Sequence, residues 1–202
     1  MNVVIVAYNG GNVLSLQNAL KRLGVQATLS SDEKVLKKAD RVIFPGVGSA
    51  ASAMPFLREK GLDRILPELQ QPVLGICLGM QLLCDFSEEG DTPCLGIIPQ
   101  QVRKFRPIPG KVKVPHMGWN QTSVDPLEPF SITEPSSYYY FVHSYYVEPG
   151  AFTTEWTEHG IRFSAALRKD NFWATQFHPE KSGAAGSQLL QKFLSQKFQP
   201  CD

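Results

Sequence analysis

Cysteine is scarce in this chain and carries no pattern. Cys77, Cys84, Cys94 and Cys201 are the only four, and they show neither zinc-type spacing nor the framework of a disulfide-stapled scaffold. A reactive thiol in a reducing compartment remains open to them. Charge is not in excess either: 20 Lys and Arg against 19 Asp and Glu leave a formal +1, with a sequence pI near 7.7. The basic residues are scattered, which argues against nucleic acid or a membrane surface as partner and leaves small polar substrates open. No apolar run approaches the roughly 18 residues that cross a bilayer, and Met1–Val6 has neither a charged leader region nor a cleavage site, so the cytoplasm is the expected location. The four histidines, His116, His143, His159 and His178, have no companions at metal-site spacing. No metal and no cofactor is expected.

The chain does have enough apolar residues for a full core, 43%, and no linker, repeat or low-complexity stretch divides it. The expectation is one domain over residues 1–202. Val3–Ala7 reads as a buried strand. A helix follows, with Val13, Leu16, Leu20 and Leu23 at three- and four-residue spacing and Gly24 as its stop. The glycines between them lack the pattern of a phosphate loop, so a plain strand-to-helix turn is the better reading. Gln26–Leu29 and Arg41–Phe44 read as further strands, separated by a helix capped by Ser31 or Asp32. Ala50–Leu69 reads as a helix interrupted near Pro55 and Gly61. This alternation predicts an α/β fold with a mostly parallel central sheet flanked by helices, its sites at the carboxyl ends of the strands. From Leu95 onward, proline and β-favouring residues predict an added antiparallel β meander, with strands at Val102–Phe105, Lys111–Val114, Tyr138–Val147, Ile161–Leu167 and Phe172–Phe177. Pro115–Asn120 reads as a loop, Thr157–Gly160 as a hairpin turn without chemistry. A last helix buries Leu189, Leu190, Phe193 and Leu194.

Two segments carry chemistry. In Pro72–Leu83, an apolar run is broken by Gly75 and Gly79 on either side of Cys77. A strand turning sharply into a helix would expose the thiol there, with the Leu78 amide aimed at an oxyanion. A lone G-x-C-x-G is more often a small buried cysteine. About a hundred residues on, Gln176-Phe177-His178-Pro179-Glu180 supplies an imidazole and a carboxylate two positions apart, on one face of an extended segment. His143 is the rival base but has no nearby carboxylate.

Together G-I-C-L-G-M-Q and Q-F-H-P-E resemble the class I, triad-type glutamine amidotransferases. The resemblance covers nearly the whole chain, although Ala7 stands where the family has an acidic or small polar residue. It implies a Cys77–His178–Glu180 triad hydrolysing L-glutamine. It also implies an oxyanion hole from Val47 and Leu78, and substrate contacts from Gly46, Gly48, Gln81, His143, Ser144 and Tyr145; the glycines of Pro45–Gly48 would let that peptide flip between two states. The hexapeptide Pro115-His116-Met117-Gly118-Trp119-Asn120 resembles a signature of one subfamily, the glutaminase subunits of imidazole glycerol phosphate synthase. That resemblance implies a heterodimer with a (βα)₈-barrel cyclase, met through Asn12, Met117, Trp119 and Lys181. Trp119 otherwise reads as a loop residue folded back on the core. A glutaminase feeding another acceptor, such as pyridoxal phosphate synthase, a cysteine peptidase on a related fold, and a catalytically dead regulatory subunit are the alternatives.

Overall fold

The computed structural model describes residues 1–8, 13–110, 112–124 and 131–195. The strands are β1 (Val3–Val6), β2 (Ala27–Ser30), β3 (Arg41–Gly46), β4 (Val73–Cys77), β5 (Cys84–Ser87), β6 (Thr92–Pro93), β7 (Ile98–Lys104), β8 (His116–Gln121), β9 (Ser123–Val124), β10 (Tyr138–His143), β11 (Tyr145–Val147), β12 (Thr153–Glu158), β13 (Arg162–Lys169) and β14 (Phe172–Thr175). The helices are α1 (Val13–Arg22), α2 (Glu33–Lys37), α3 (Ala50–Glu59), α4 (Leu62–Ile65), α5 (Leu78–Leu83) and α6 (Gly183–Ser195).

One sheet dominates, in the order β2-β1-β3-β4-β14-β13-β11-β7-β5-β6, with β12 and β9 continuing from β13. Its first five strands are parallel. Antiparallel pairing begins where β13 meets β14. The parallel strands are buried on both faces because their residues alternate between two cores. Val4, Val42, Phe44 and Val73 pack with Leu36, Met54 and Leu57 on the side of α2 and α3. Val3, Ile5, Ile43 and Leu74 pack with Leu16, Leu20, Leu189 and Phe193 on the side of α1 and α6. This two-sided burial explains the continuous apolar runs of the sequence. Asp32 caps α2, accepting from the Val35 amide at 3.1 Å, a contact of the kind worth about 1 kcal/mol.

Several expectations are corrected. Pro55 does not interrupt α3, which runs through it; the Ala51 carbonyl that loses its donor belongs to an exposed residue and is left to water. Gly61, at φ 68°, does end that helix. The elbow helix α5 lasts six residues and gives way to β5, which pairs parallel with β7. Lys111 lies outside the described residues, and only an Ile108–Val112 bridge stands where the Lys111–Val114 strand was expected. Tyr138–Val147 is two strands that part at Ser144. β10 leaves the main sheet to pair with β8, while β11 enters it between β7 and β13. Pro115–Asn120 is therefore not a loop: His116–Gln121 is a strand, its main chain paired residue for residue with β10 from His143↔His116 to Tyr138↔Gln121. No helix among the described residues is long and apolar enough to cross a membrane.

Candidate active site

β4 ends at Cys77, which sits at φ 56° and ψ −110° before the first turn of α5. A positive φ on a residue with a Cβ costs on the order of 1–3 kcal/mol and persists only where its surroundings enforce it. The flanking glycines allow a close approach of neighbouring backbone. A Cβ on Gly79 would run into the Phe44 carbonyl, and one on Gly75 would come within 2.8 Å of the Leu83 side chain. They let α5 lie directly on β3 and β4, and that close packing holds Cys77 in its strained turn. Gly46, at the end of β3, likewise has no room for a side chain, being pressed between Tyr8 and the start of α5.

Beside β4, the segment after β14 carries His178. Its Nδ1 meets Glu180 Oε1 at 2.8 Å, with the two side chains 3% and 4% exposed. The other ring nitrogen, Nε2, is buried without a hydrogen-bond partner. Burial alone would lower the pKa of His178. The Cys77 sulfur and the Glu180 carboxylate outweigh it and push the pKa up to about 10. The imidazole is thus held as a cation beside the Cys77 sulfur.

Cys77 and His178 open onto a cavity of about 420 Å³, also lined by Val47, Gly48, Leu78, Gln81, Ser144, Tyr145 and Lys181. Glu180 stands behind His178 and Gly46 behind Val47; both border a separate, much smaller void and not the main cavity. Gly48 takes φ 97°, a conformation that favours glycine. Glu89 lines the mouth, its Oε2 accepting from the Ala50 amide at 2.8 Å, and its pKa is raised by burial. Sequence reasoning missed Glu89. It lies in a polar stretch twelve residues past Cys77, and only its tertiary bond to α3 turns it toward the cavity.

His143 lines the same cavity but has no free nitrogen. Nδ1 lies 2.6 Å from the Tyr145 carbonyl, so it is protonated, and Nε2 lies 3.0 Å from His116 Nδ1. His116 Nε2 in turn faces Asn120 Nδ2 at 3.2 Å. The donors therefore run Asn120 to His116 to His143 to the Tyr145 carbonyl, with both rings neutral. Burial lowers His143 to about 3 and, with the neighbouring His159, lowers His116 to about 4. His159 packs on this chain, its ring 4.2 Å from that of His116.

The β8–β10 ribbon that carries these histidines has a second face. Met117, Trp119 and Tyr138 are 63%, 57% and 56% exposed. Trp119 does not fold back onto the core. Its ring meets Tyr140 edge-on at 6.2 Å, and Lys181 Nζ lies 5.8 Å over the same Tyr140. Asn12 lies outside the described residues. No cluster of three or more potential metal ligands occurs among the described residues.

Cys77 at a positive φ on a strand-to-helix turn, beside a buried histidine–glutamate pair, makes a site fit for nucleophilic chemistry, and comparison with known proteins supplies the family. The family model for "Glutamine amidotransferase class-I" matches residues 4–197, and the chain belongs to that family. A protein named imidazole glycerol phosphate synthase subunit HisH from Bacteroides fragilis is 55% identical over 96% of this chain and 99% of its own length. The proteins of the same name from Bacteroides thetaiotaomicron and Vibrio cholerae are 50% and 42% identical, each over 96% of this chain and 99% and 98% of their own. Among solved structures, a glutamine amidotransferase superposes with a TM-score of 0.73 at 21% identity, over 96% of this chain and 97% of its own. PurLQS from Thermotoga maritima gives 0.65 at 17%, over 96% and 97%. At these identities the structures speak for the fold.

Proposed function

We propose that the cavity binds L-glutamine and that Cys77, His178 and Glu180 hydrolyse its side-chain amide. The Cys77 thiolate attacks the amide carbon, and the Val47 and Leu78 amides receive the oxyanion. Each such donor is worth roughly 100- to 1000-fold in rate. His178 gives its proton to the amide nitrogen as the carbon–nitrogen bond breaks and ammonia departs. It then deprotonates the water that splits the glutamyl thioester; the sulfur leaves as thiolate, which restores the thiolate–imidazolium pair, and glutamate is released. Glu180 keeps the ring oriented and stabilises its positive charge. Gly48, Gln81, Ser144 and Tyr145 hold the amino-acid end, with Glu89 facing the α-ammonium group; His143 shapes a wall, and Gly46 supports Val47 from behind without meeting the substrate. The observation that carries this reading is the 2.8 Å His178–Glu180 bond, which leaves Nε2 unpartnered beside Cys77.

The chain is the glutaminase subunit of imidazole glycerol phosphate synthase, and the ammonia passes to a cyclase subunit that forms imidazole glycerol phosphate and aminoimidazole-carboxamide ribonucleotide in histidine biosynthesis. The names of relatives 42–55% identical over nearly the full chain support this. The partner is a (βα)₈-barrel cyclase forming a heterodimer, and the exposed Met117–Trp119–Tyr138 face with Lys181, and Asn12 beyond the described residues, is its docking surface. Aromatic and methionine side chains exposed together are typical of interface centres. Residues 1–202 act as one amidotransferase domain. The test is Cys77→Ala in the assembled synthase. Glutamine-dependent synthesis is expected to vanish, while synthesis from added ammonia and co-purification with the cyclase persist. Glutamine hydrolysis by Cys77→Ala would overturn the proposal, and loss of ammonia-dependent synthesis would overturn the division of labour.

A further inference from the structure

We propose that Gln176 is a catalytic residue that holds the Cys77 sulfur as a thiolate, through a side-chain N–H donor whose orientation is locked by Gln81 and Tyr145. This rests on the assignment of Cys77 as nucleophile. Gln176 is fully buried and is not among the residues lining the cavity, so it does not meet glutamine. What its side chain meets is Gln81, at 2.9 Å, and Cys77 Sγ, at 3.7 Å.

Which end of a glutamine amide is oxygen and which is nitrogen has to be decided from its neighbours, and here they leave no choice. The Tyr145 carbonyl is only an acceptor, so the Gln81 atom 3.0 Å from it is the nitrogen. That same nitrogen faces Gln176, so the Gln176 atom it meets is the oxygen. The amide group of Gln176 therefore presents its N–H to Cys77. A thiolate accepts such a bond far better than a thiol does, and a buried N–H without an acceptor is costly, so the contact favours the charged sulfur. On another side of Sγ the Val142 carbonyl, at 3.9 Å, is the acceptor that a thiol S–H would use. Gln176 and His178 both bias the sulfur away from that alternative. The main chain fixes the donor in place: the Gln176 amide bonds to the Ala165 carbonyl at 2.8 Å. Gln81, read from the sequence as a substrate contact, thus has a second task, since its nitrogen orients Gln176 and leaves its oxygen for the cavity.

The test compares Gln176→Met, which removes both polar ends, with Gln176→Glu, assayed above neutrality so that its carboxylate still accepts from Gln81 but donates nothing to Cys77. Cys77 alkylation by iodoacetamide, read by peptide mass spectrometry, and glutamine turnover by the complex with the cyclase are measured for each. Both variants are expected to slow alkylation and kcat by about 10- to 100-fold, the range spanned by a hydrogen bond to a charged group, with KM for glutamine within about two-fold. Wild-type rates in Gln176→Glu would reduce Gln176 to an acceptor for Gln81, and wild-type rates in Gln176→Met would remove any role. Should neither variant fold, Gln81→Met leaves Gln176 in place but unlocks its amide. It is expected to slow alkylation several-fold, and unchanged alkylation would overturn the proposal. Cys77→Ala is run alongside: if that protein still hydrolyses glutamine, the nucleophile assignment fails first, whereas an inactive Cys77→Ala with unaffected Gln176 variants sinks this inference alone.

Discussion

The turn at His178 and the ribbon at His143 place two histidines against one cavity, 2% and 6% exposed, and give them opposite protonation states. Burial disfavours the cation in both. At His178 the Cys77 sulfur and Glu180 carboxylate reverse that penalty, and the ring is held near a pKa of about 10. At His143 the neighbours are a backbone carbonyl and another histidine; the bond to the Tyr145 carbonyl offsets the burial only in part, and the ring stays neutral down to about 3. Burial therefore does not decide which histidine is the base. The charge of the neighbours and the availability of a ring nitrogen do, and only His178 has both.

That contrast ranks the variants. The largest effect falls on His178→Asn, expected to cut kcat for glutamine hydrolysis by about 10⁶-fold, as loss of a triad base does. An effect as small as that of His143→Asn would erase the distinction. Glu180→Gln keeps a partner for Nδ1 but removes the charge that supports the imidazolium, and should be the mildest change within the triad, about 10²- to 10⁴-fold in kcat. His143→Asn breaks the donor chain to the Tyr145 carbonyl without touching a reacting atom. Turnover should stay within about 10-fold, with KM affected more than kcat.

The smallest effect is on stability. His143 and His116 are lowered to about 3 and 4, so below pH 6.5 the unfolded chain takes up protons that the folded one refuses. Their contribution is complete above 6.5 and is lost as pH falls toward 4, with a slope of up to about 1.4 kcal/mol per pH unit for each ring. His178 runs the other way: its contribution is present below 6.5 and is lost as pH rises through about 10. Urea unfolding of the His116→Asn/His143→Asn double variant between pH 4 and 7 should show a flatter pH dependence than the wild type. An unchanged slope would mean the rings are not neutral in the fold.

The parallel half of the molecule was legible because burial on both faces writes itself as unbroken apolar runs, as in Val3–Val6 and Val42–Phe44. The strand-to-helix turn at Cys77 and the His178–Glu180 contact were also readable, since each lies within a few residues and its geometry is local. The ribbon was not. Proline, glycine and asparagine in Pro115–Asn120 are turn-formers, and what makes His116–Gln121 a strand is its pairing with β10, which begins at Tyr138. Nothing local marks Cys84–Ser87 as a strand after the elbow helix; β5 is claimed from Cys84 onward by pairing with β7. Glu89 and the His116–His143 contact are likewise tertiary. The hexapeptide was recognised through its resemblance, but its two faces, aromatic outward and histidine inward, became visible only with the register.

The most direct measurement is a ¹⁵N NMR titration of histidine-labelled protein, with resonances assigned by His143→Asn and His178→Asn. The account predicts that His178 remains doubly protonated from pH 6 through 9 while His143 remains neutral from pH 8 down to 5, with its proton on Nδ1. A His178 ring that is neutral at pH 7, or a His143 ring that titrates near 6.5, would contradict it.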